Sequence, residues 1–177
     1  MIKKITDTAT IEVWVNEKSP TRERYLFKKT WSDEANHAVV VTIHPGSCDP
    51  FISDLTTLFI EKHIRLLGYS GFYAINLFSE VNGAVKKISE ENEQVIETIL
   101  KDKSIQKVIF ACGSVIETNK LAHTECYKIY DQCSEKLKKR TSMLSVNGKQ
   151  AHPLNVYCRS KWDLATIDTL SNKSSIR

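Results

Sequence analysis

The stretch Ala38-Val39-Val40-Val41-Thr42-Ile43, followed at once by His44-Pro45-Gly46-Ser47, decides the predicted fold. A continuous run of apolar and β-branched residues suits a strand buried on both faces of a parallel sheet, and proline and glycine then end it. Downstream, Ser53 or Asp54 can cap a helix with apolar residues at near-helical spacing, which ends at Gly68. The stretch therefore predicts a strand followed by a crossover helix.

The same strand-and-helix unit recurs along the chain. Further buried strands are predicted over residues 71–78, 107–112 and 142–146, with a helix capped by Ser89 and a long helical segment ending at residues 136–140 between them. Strands that alternate with helices imply right-handed crossovers and a sheet covered on both faces. The pattern predicts an α/β fold, in three α/β/α layers, with a central and mostly parallel sheet of about four strands.

The ends of the chain predict smaller elements around this core. Residues 10–15 and 24–31 suit edge or hairpin strands, and residues 161–167 suit a closing helix. We expect a single domain over residues 1–177, with N-terminal strands in 1–35, the α/β core in 36–158, and a C-terminal helix and frayed tail in 159–177.

Composition narrows the class of protein. The chain has 177 residues, of which 41% are hydrophobic and 26% charged, which is typical of one globular domain. It lacks a membrane-length apolar run and a signal-like start, so a cytoplasmic location is expected. Five cysteines without CxxC spacing predict reduced thiols, and a net charge of +4 permits a polyanion partner without requiring one.

Polar residues and tight turns follow each predicted core strand, where ligands of α/β sheets bind. They are His44-Pro45-Gly46-Ser47, Asn76, Gly113-Ser114 and His152-Pro153-Leu154. Together they predict a site for a planar, hydrogen-bonding ligand such as a nucleobase. Each also has a structural alternative: His44-Pro45-Gly46 as a turn, Asn76 as a satisfied core amide, and His152-Pro153 as a hairpin or loop.

Other candidate sites are weaker. His123, Cys126 and Cys133 share one helical face, which allows a metal site, but that face also suits the core, so no metal is expected. The basic run 136–140 suits a solvated helix end, with a phosphate contact as the minority interpretation. Neither GxxxxGK[ST] nor GxGxxG occurs, and Ser47 and Ser114 lack the GxSxG setting of a nucleophile.

The order of these motifs resembles the uracil-DNA glycosylase superfamily. It runs through Thr42–Gly46, residues 71–78 ending in Asn76-Leu77-Phe78, residues 108–113, and His152-Pro153-Leu154. More specifically, the chain looks like a bacterial family of uncharacterised proteins, a domain of unknown function, over roughly residues 24 to 157. That similarity rests on residues 24–31, His44–Asp49, Gly68-Tyr69, Asn76-Leu77-Phe78 and Ala151–Leu154.

The glycosylase resemblance implies roles for individual residues. His44 occupies the water-activating position, Asn76 reads the edge of a flipped base, and His152 stabilises charge on the leaving base. Pro45, Gly46 and Ser47 join the base-binding group, while Gly113, Ser114 and Leu154 are candidate DNA contacts, Leu154 as an intercalating wedge. No cofactor is implied, and Phe51 and Phe59 are alternative stacking faces.

Active members of that superfamily usually carry Asp or Asn where this chain has His44. The resemblance therefore implies a catalytically degenerate protein that binds single- or double-stranded DNA, or an acidic protein that mimics DNA and inhibits real glycosylases. The competing hypothesis is an active DNA-base or nucleoside glycosylase that uses His44, Asn76 and His152. A third is a sensor of a small nucleotide that needs no DNA.

Overall fold

The computed structural model describes residues 3–83 and 88–167, and one mixed β-sheet organises them. The strands are β1 Thr10–Val15, β2 Arg24–Thr30, β3 His37–Thr42, β4 Gly71–Asn76, β5 Ile105–Phe110, β6 Thr141–Val146, β7 Lys149–Gln150 and β8 Asp163–Ala165. The helices are α1 Leu55–Leu66, α2 Glu90–Leu100, α3 Val115–Thr118, α4 Lys120–Gln132, α5 Glu135–Lys138 and a 3₁₀ turn at Tyr157–Arg159.

The sheet is larger and more mixed than the sequence predicts. Its order is β1-β2-β4-β3-β5-β6-β7, and β8 also pairs with β6, giving eight strands. Strands β4, β3, β5 and β6 are parallel to their neighbours within that block, but every other pairing is antiparallel. The prediction of about four mostly parallel strands was wrong because β2 pairs directly with β4, and β6 recruits β7 and β8.

Strand β3 lies at the centre of the sheet, and its side chains contribute to an apolar core on each face. Val39 and Val41 face one core and Ala38 and Val40 the other, because alternate side chains of a strand point to opposite faces. Helices α2, α4 and α5 cover the first core and α1 the second. Helices therefore cover both faces, and the connections from β3 and from its neighbours β4 and β5 leave toward opposite sides.

The helices begin where polar side chains can accept orphan backbone N–H groups. Asp54 accepts from Thr57 N at 2.7 Å at the start of α1, and Ser89 accepts from Asn92 N at 3.3 Å at the start of α2. The long helical segment predicted before residue 140 is divided into α3, α4 and α5, with Asn119 and Ser134 capping the second and third. None of the described helices is long and apolar enough to cross a membrane.

The C-terminal part of the described chain differs from the prediction. Asn147 and Gly148 both have positive φ, 51° and 73°, and form the tight turn between β6 and β7. The closing helix predicted at residues 161–167 is instead the short strand β8, whose backbone groups pair with the free edge of β6. The structure does not describe residues 168–177, and the predicted frayed tail lies among them.

Candidate functional site

Asn76 lies at the carboxyl end of β4, directly beside the end of β3. Its side chain is 1% exposed, and its Nδ2 donates to Thr42 Oγ1 at 2.6 Å. Its Oδ1 is buried and has no hydrogen-bond partner in the described parts of the chain. A buried amide oxygen without a partner is uncommon in folded proteins, and it leaves Asn76 with unused capacity to accept a hydrogen bond.

Asn92 of α2 holds the chain in place just beyond Asn76. Its Nδ2 donates to the backbone oxygens of Asn76 and Leu77, at 3.0 and 3.3 Å. The sequence pattern does not single out Asn92, although this residue follows the Ser89 cap by three positions. These two hydrogen bonds hold the backbone at the end of β4, so Asn92 helps to position Asn76.

His44 follows β3 and is held by the loop after β4. Its Nδ1 lies 3.0 Å from the backbone oxygen of Glu80, and its ring packs on Phe78 at 5.3 Å between centroids. Because a carbonyl oxygen can only accept, Nδ1 carries the ring proton and Nε2 keeps its lone pair. Burial lowers the pKa of His44, so the ring is neutral near pH 7. Nε2 is buried without a partner among the described residues.

His152 has the opposite tautomer. Leu154 N donates to its Nδ1 at 3.3 Å, so in the neutral ring the proton lies on Nε2. Burial lowers the pKa of His152, while the negative charge of Asp54 opposes that shift. Gly113, after β5, lies against this loop: its N donates to Ala151 O at 3.1 Å, and a Cβ on it would meet His152 Cβ at 3.2 Å.

Asp54 and Arg24 also lie near the loop after β3, and the sequence pattern predicts a site role for neither of them. A Cβ on Gly46 would lie 2.8 Å from Asp54 Cγ, so the glycine makes room for the carboxylate. Arg24 is 4% exposed and donates to Ser47 O at 2.7 Å. Burial lowers the pKa of Arg24, and the negative charge of Asp54 opposes this shift. Only tertiary structure brings these two residues to the strand ends.

The remaining predicted residues have different surroundings. Pro45 O accepts from Asn82 N at 3.3 Å, and Ser47 Oγ accepts from Asp49 N at 3.0 Å, so both shape the loop after β3. Ser114 is exposed and makes no side-chain cap bond at the start of α3. The structure thus joins Asn76 to Thr42 by a hydrogen bond, holds His44 against Phe78 and Glu80, and packs Gly113 against His152. Asp54 lies against Gly46, and its charge acts on His152.

Exposed apolar side chains lie close in sequence to Asp54 and to His152. Those near Asp54 are Phe51 at 94%, Ile52 at 59% and Leu55 at 64% exposed. Those near His152 are Leu154 at 37%, Val156 at 68% and Tyr157 at 70% exposed. We call these six residues the apolar rim. Phe59, the other predicted stacking residue, is half-buried. Unstacked bases favour exposed aromatic faces, which Phe51 and Tyr157 provide.

A cleft of about 600 Å³ adjoins the Glu80 side of the site. Among the residues that the structure describes, its lining includes four glutamates, Glu23, Glu80, Glu90 and Glu91, and one basic residue, Arg22. Such a charge distribution repels phosphate groups.

The alternative metal site is not formed. Cys126 of α4 and Cys133, the residue that ends this helix, are buried in the core, as the structural alternative predicts. Across residues 3–83 and 88–167, no three histidine, cysteine or acidic side chains cluster in a way that could hold a metal ion.

Comparisons with known proteins give one result. A family model described as a protein of unknown function, DUF1643, matches residues 24–154. No curated protein and no solved structure matches the chain. This match confirms the predicted similarity to a domain of unknown function, and nothing in the comparisons links the chain to uracil-DNA glycosylases. Because residues 24–154 are well over half of the sequence, the chain belongs to the DUF1643 family of proteins of unknown function.

Proposed function

We propose that the chain binds DNA at the carboxyl edge of its parallel strands and holds an unstacked base there, with little or no cleavage of the glycosidic bond. One observation carries the proposal. The hydrogen bonds of the two histidines assign opposite tautomers to their neutral rings, which leaves an acceptor at His44 Nε2 and a donor at His152 Nε2. Nucleobase edges present donors and acceptors side by side, and an unstacked base can be recognised through both.

Two further features support a base over another planar ligand. Asn76 adds an amide oxygen without a partner in the described chain, and an amide beside a base edge can accept from a ring N–H. The apolar rim adds Phe51 and Tyr157, on which neighbouring bases can stack. In this proposal, the chain resembles the glycosylase superfamily in the arrangement of its site.

We expect weak catalysis because, among the described residues, no free carboxylate is positioned to act as the general base. By its resemblance to glycosylases, His44 takes the position that usually holds Asp or Asn in active members. The carboxylate of Asp54 is engaged as the cap of α1. Loss of a positioned general base commonly lowers a rate about a hundredfold to ten-thousandfold. An acidic protein that mimics DNA could occupy the same surface, and we include such an inhibitor among the proposed partners.

A second candidate, glycosidic hydrolysis, is favoured by the free lone pair on neutral His44. In this case His44 Nε2 takes a proton from water, whose oxygen bonds to C1′ of the sugar as the C1′–N bond breaks. The bonding electrons leave with the base, and His152 Nε2–H stabilises the charge on its oxygen.

The first test is the binding of a fluorescent single-stranded oligonucleotide with one central uracil, followed by anisotropy. We expect His152→Ala to weaken binding about tenfold or more, in line with about 1.4 kcal/mol for a lost hydrogen bond to a buried group. His123→Ala, a histidine on α4 away from the site, should leave the affinity unchanged. Equal affinities for all three proteins would overturn the proposal.

Two added measurements separate the alternatives. In the first, abasic sites in the oligonucleotide are counted after incubation with stoichiometric protein. If the wild type releases the base and His44→Ala does not, glycosidic hydrolysis replaces the binding proposal. Release that appears only in His44→Asp would support the degenerate interpretation. Uridine monophosphate that binds as tightly as the oligonucleotide, with no salt dependence, would instead favour a small-nucleotide sensor, because phosphate contacts along DNA make affinity fall steeply with salt.

A further inference from the structure

The amino ends of the parallel strands form a second candidate site, at the opposite edge of the sheet. A cleft of about 450 Å³ is lined by Asn36, Tyr69, Gln106, Lys107, Lys139 and Arg140. These residues precede β3, β4 and β6 or lie at the start of β5, so the parallel pairing brings them together. A strand of six residues spans about 20 Å, which separates this edge from His44 and Asn76.

The lining of this cleft is cationic. It contains Lys107, Lys139 and Arg140 and no carboxylate. A second cleft of about 490 Å³ shares Gln106 and Arg140 with it and adds further lysines, Lys101, Lys103 and Lys136, against one acidic residue, Asp102. The Asp102 carboxylate accepts from Tyr73 OH at 3.1 Å. The two clefts together form a continuous basic surface, which we call the basic groove.

Two of the three cations that line the first cleft donate to neutral side chains. Lys107 Nζ donates to Ser142 Oγ at 2.5 Å, and one Arg140 nitrogen donates to Gln106 Oε1 at 2.5 Å. None of the ion pairs between described side chains includes Lys107, Lys139 or Arg140. Burial lowers the pKa of Lys107. A partly buried cation that has no carboxylate partner among the described residues gains free energy when an anion binds beside it.

We propose that the basic groove binds a phosphate group, held by Lys107, Lys139 and Arg140. The planar fork of an arginine and the rotatable donors of lysine match the several acceptor oxygens of a phosphate. Tyr69 lines the same cleft close to Arg140, and burial raises the pKa of its phenol, which therefore stays neutral. The phosphate comes either from a free phosphate or nucleotide or from a nucleic-acid backbone. The inference uses no residue of the carboxyl edge and stands without the proposed function.

The test compares two probes on the whole chain: inorganic pyrophosphate, by calorimetry, and an oligothymidylate without uracil, by anisotropy at several salt concentrations. Lys139→Gln/Arg140→Gln removes two exposed charges, and Lys107→Met keeps the aliphatic stem while removing the third. Lys3→Gln/Lys4→Gln is the matched control, because it removes two exposed charges elsewhere. Urea midpoints of each variant check that the fold is retained.

We expect the wild type to bind at least one probe. Lys139→Gln/Arg140→Gln and Lys107→Met should each weaken that binding at least tenfold, and the control less than twofold. Pyrophosphate alone as the bound probe identifies a free phosphate as the source. Oligothymidylate binding whose salt slope becomes shallower by about 0.7 per lost contact identifies a nucleic-acid backbone. Equal loss in the control, or no binding of either probe by the wild type, would overturn the inference.

Discussion

Asp54 has two separable effects, as the cap of α1 and as the negative charge beside His152. Asp54→Ala removes both and should lower the free energy of unfolding by about 1 kcal/mol. Asp54→Asn keeps an oxygen that can cap the helix, so its stability should change by less than about 0.5 kcal/mol. Because the Asp54 charge raises the pKa of His152, both variants should lower that pKa. Urea denaturation and an NMR titration of the ring test this, and an unchanged His152 pKa in Asp54→Asn would contradict it.

At the scale of residues, the sequence predicts the part of the site that follows the strands. His44, Asn76 and His152 come directly after apolar runs or a hairpin, and strand ends are where such residues meet. Arg24 and Asp54 could not be predicted in the same way. Arg24 begins a strand that pairs antiparallel with β4, so its place at this edge depends on a pairing that the local pattern does not reveal.

Among the elements, α2 positions the end of β4 through a single side chain. Asn92→Ala would leave two buried backbone oxygens, those of Asn76 and Leu77, without the amide that now serves them. We expect a loss of about 1–3 kcal/mol in the free energy of unfolding and weaker oligonucleotide binding. Gln94→Ala, an exposed position of the same helix, is the control and should change neither quantity. Wild-type affinity in Asn92→Ala would argue against a positioning role.

Alanine substitutions at two glycines can distinguish the cost of backbone strain from an effect on the His152 loop. Gly113 and Gly148 have φ values of 69° and 73°, so alanine at either should cost about 1–2 kcal/mol. Only Gly113 has a close neighbour, His152 Cβ, whereas a Cβ on Gly148 would meet nothing within 4 Å. Gly113→Ala should therefore weaken oligonucleotide binding severalfold, and Gly148→Ala should not. Equal affinities in the two variants, measured by anisotropy, would contradict this account of the loop.

The elements with strong local signals are those that the sequence predicts well. Apolar runs and capping residues indicated β3 to β6 and the starts of α1 and α2, and Asn147-Gly148 is a typical hairpin turn. The strand β8 has only three residues, Asp163–Ala165, and depends on an open edge of β6 far away in sequence. Its residues have helix-compatible spacing, so tertiary pairing overrides the local preference.

For the whole molecule, buried histidines predict a loss of stability at mildly acidic pH. Burial lowers the pKa of His37, His44, His63 and His152 below the ordinary value of 6.5. As pH falls through 6.5 the unfolded chain takes up protons that the folded chain does not, so stability decreases with falling pH. Carboxylates such as Glu12, whose pKa lies below its ordinary value of 4.5, add to the loss only at lower pH. The urea midpoint should therefore fall steadily between about pH 7.5 and 5.

His63 allows this pH dependence to be assigned. It is 2% exposed and stacks on Trp162 at 5.0 Å, so His63→Phe can keep the stack while removing the titrating group. The variant should show a shallower pH dependence of stability, by at most about 1.4 kcal/mol per pH unit. A wild-type midpoint that is flat from pH 7.5 to 5, or an unchanged slope in His63→Phe, would contradict the burial argument.

The most direct test of the central claim is a ¹⁵N NMR spectrum of the histidine rings, recorded while the single-stranded uracil oligonucleotide is added. In the free protein, His44 should show a protonated Nδ1 and His152 a protonated Nε2. The account predicts that the Nε2 signals of these two rings shift on binding, while those of His63 and His123 stay in place. Saturable DNA binding that leaves both His44 and His152 unshifted would contradict the assignment of the carboxyl edge as the base-binding site.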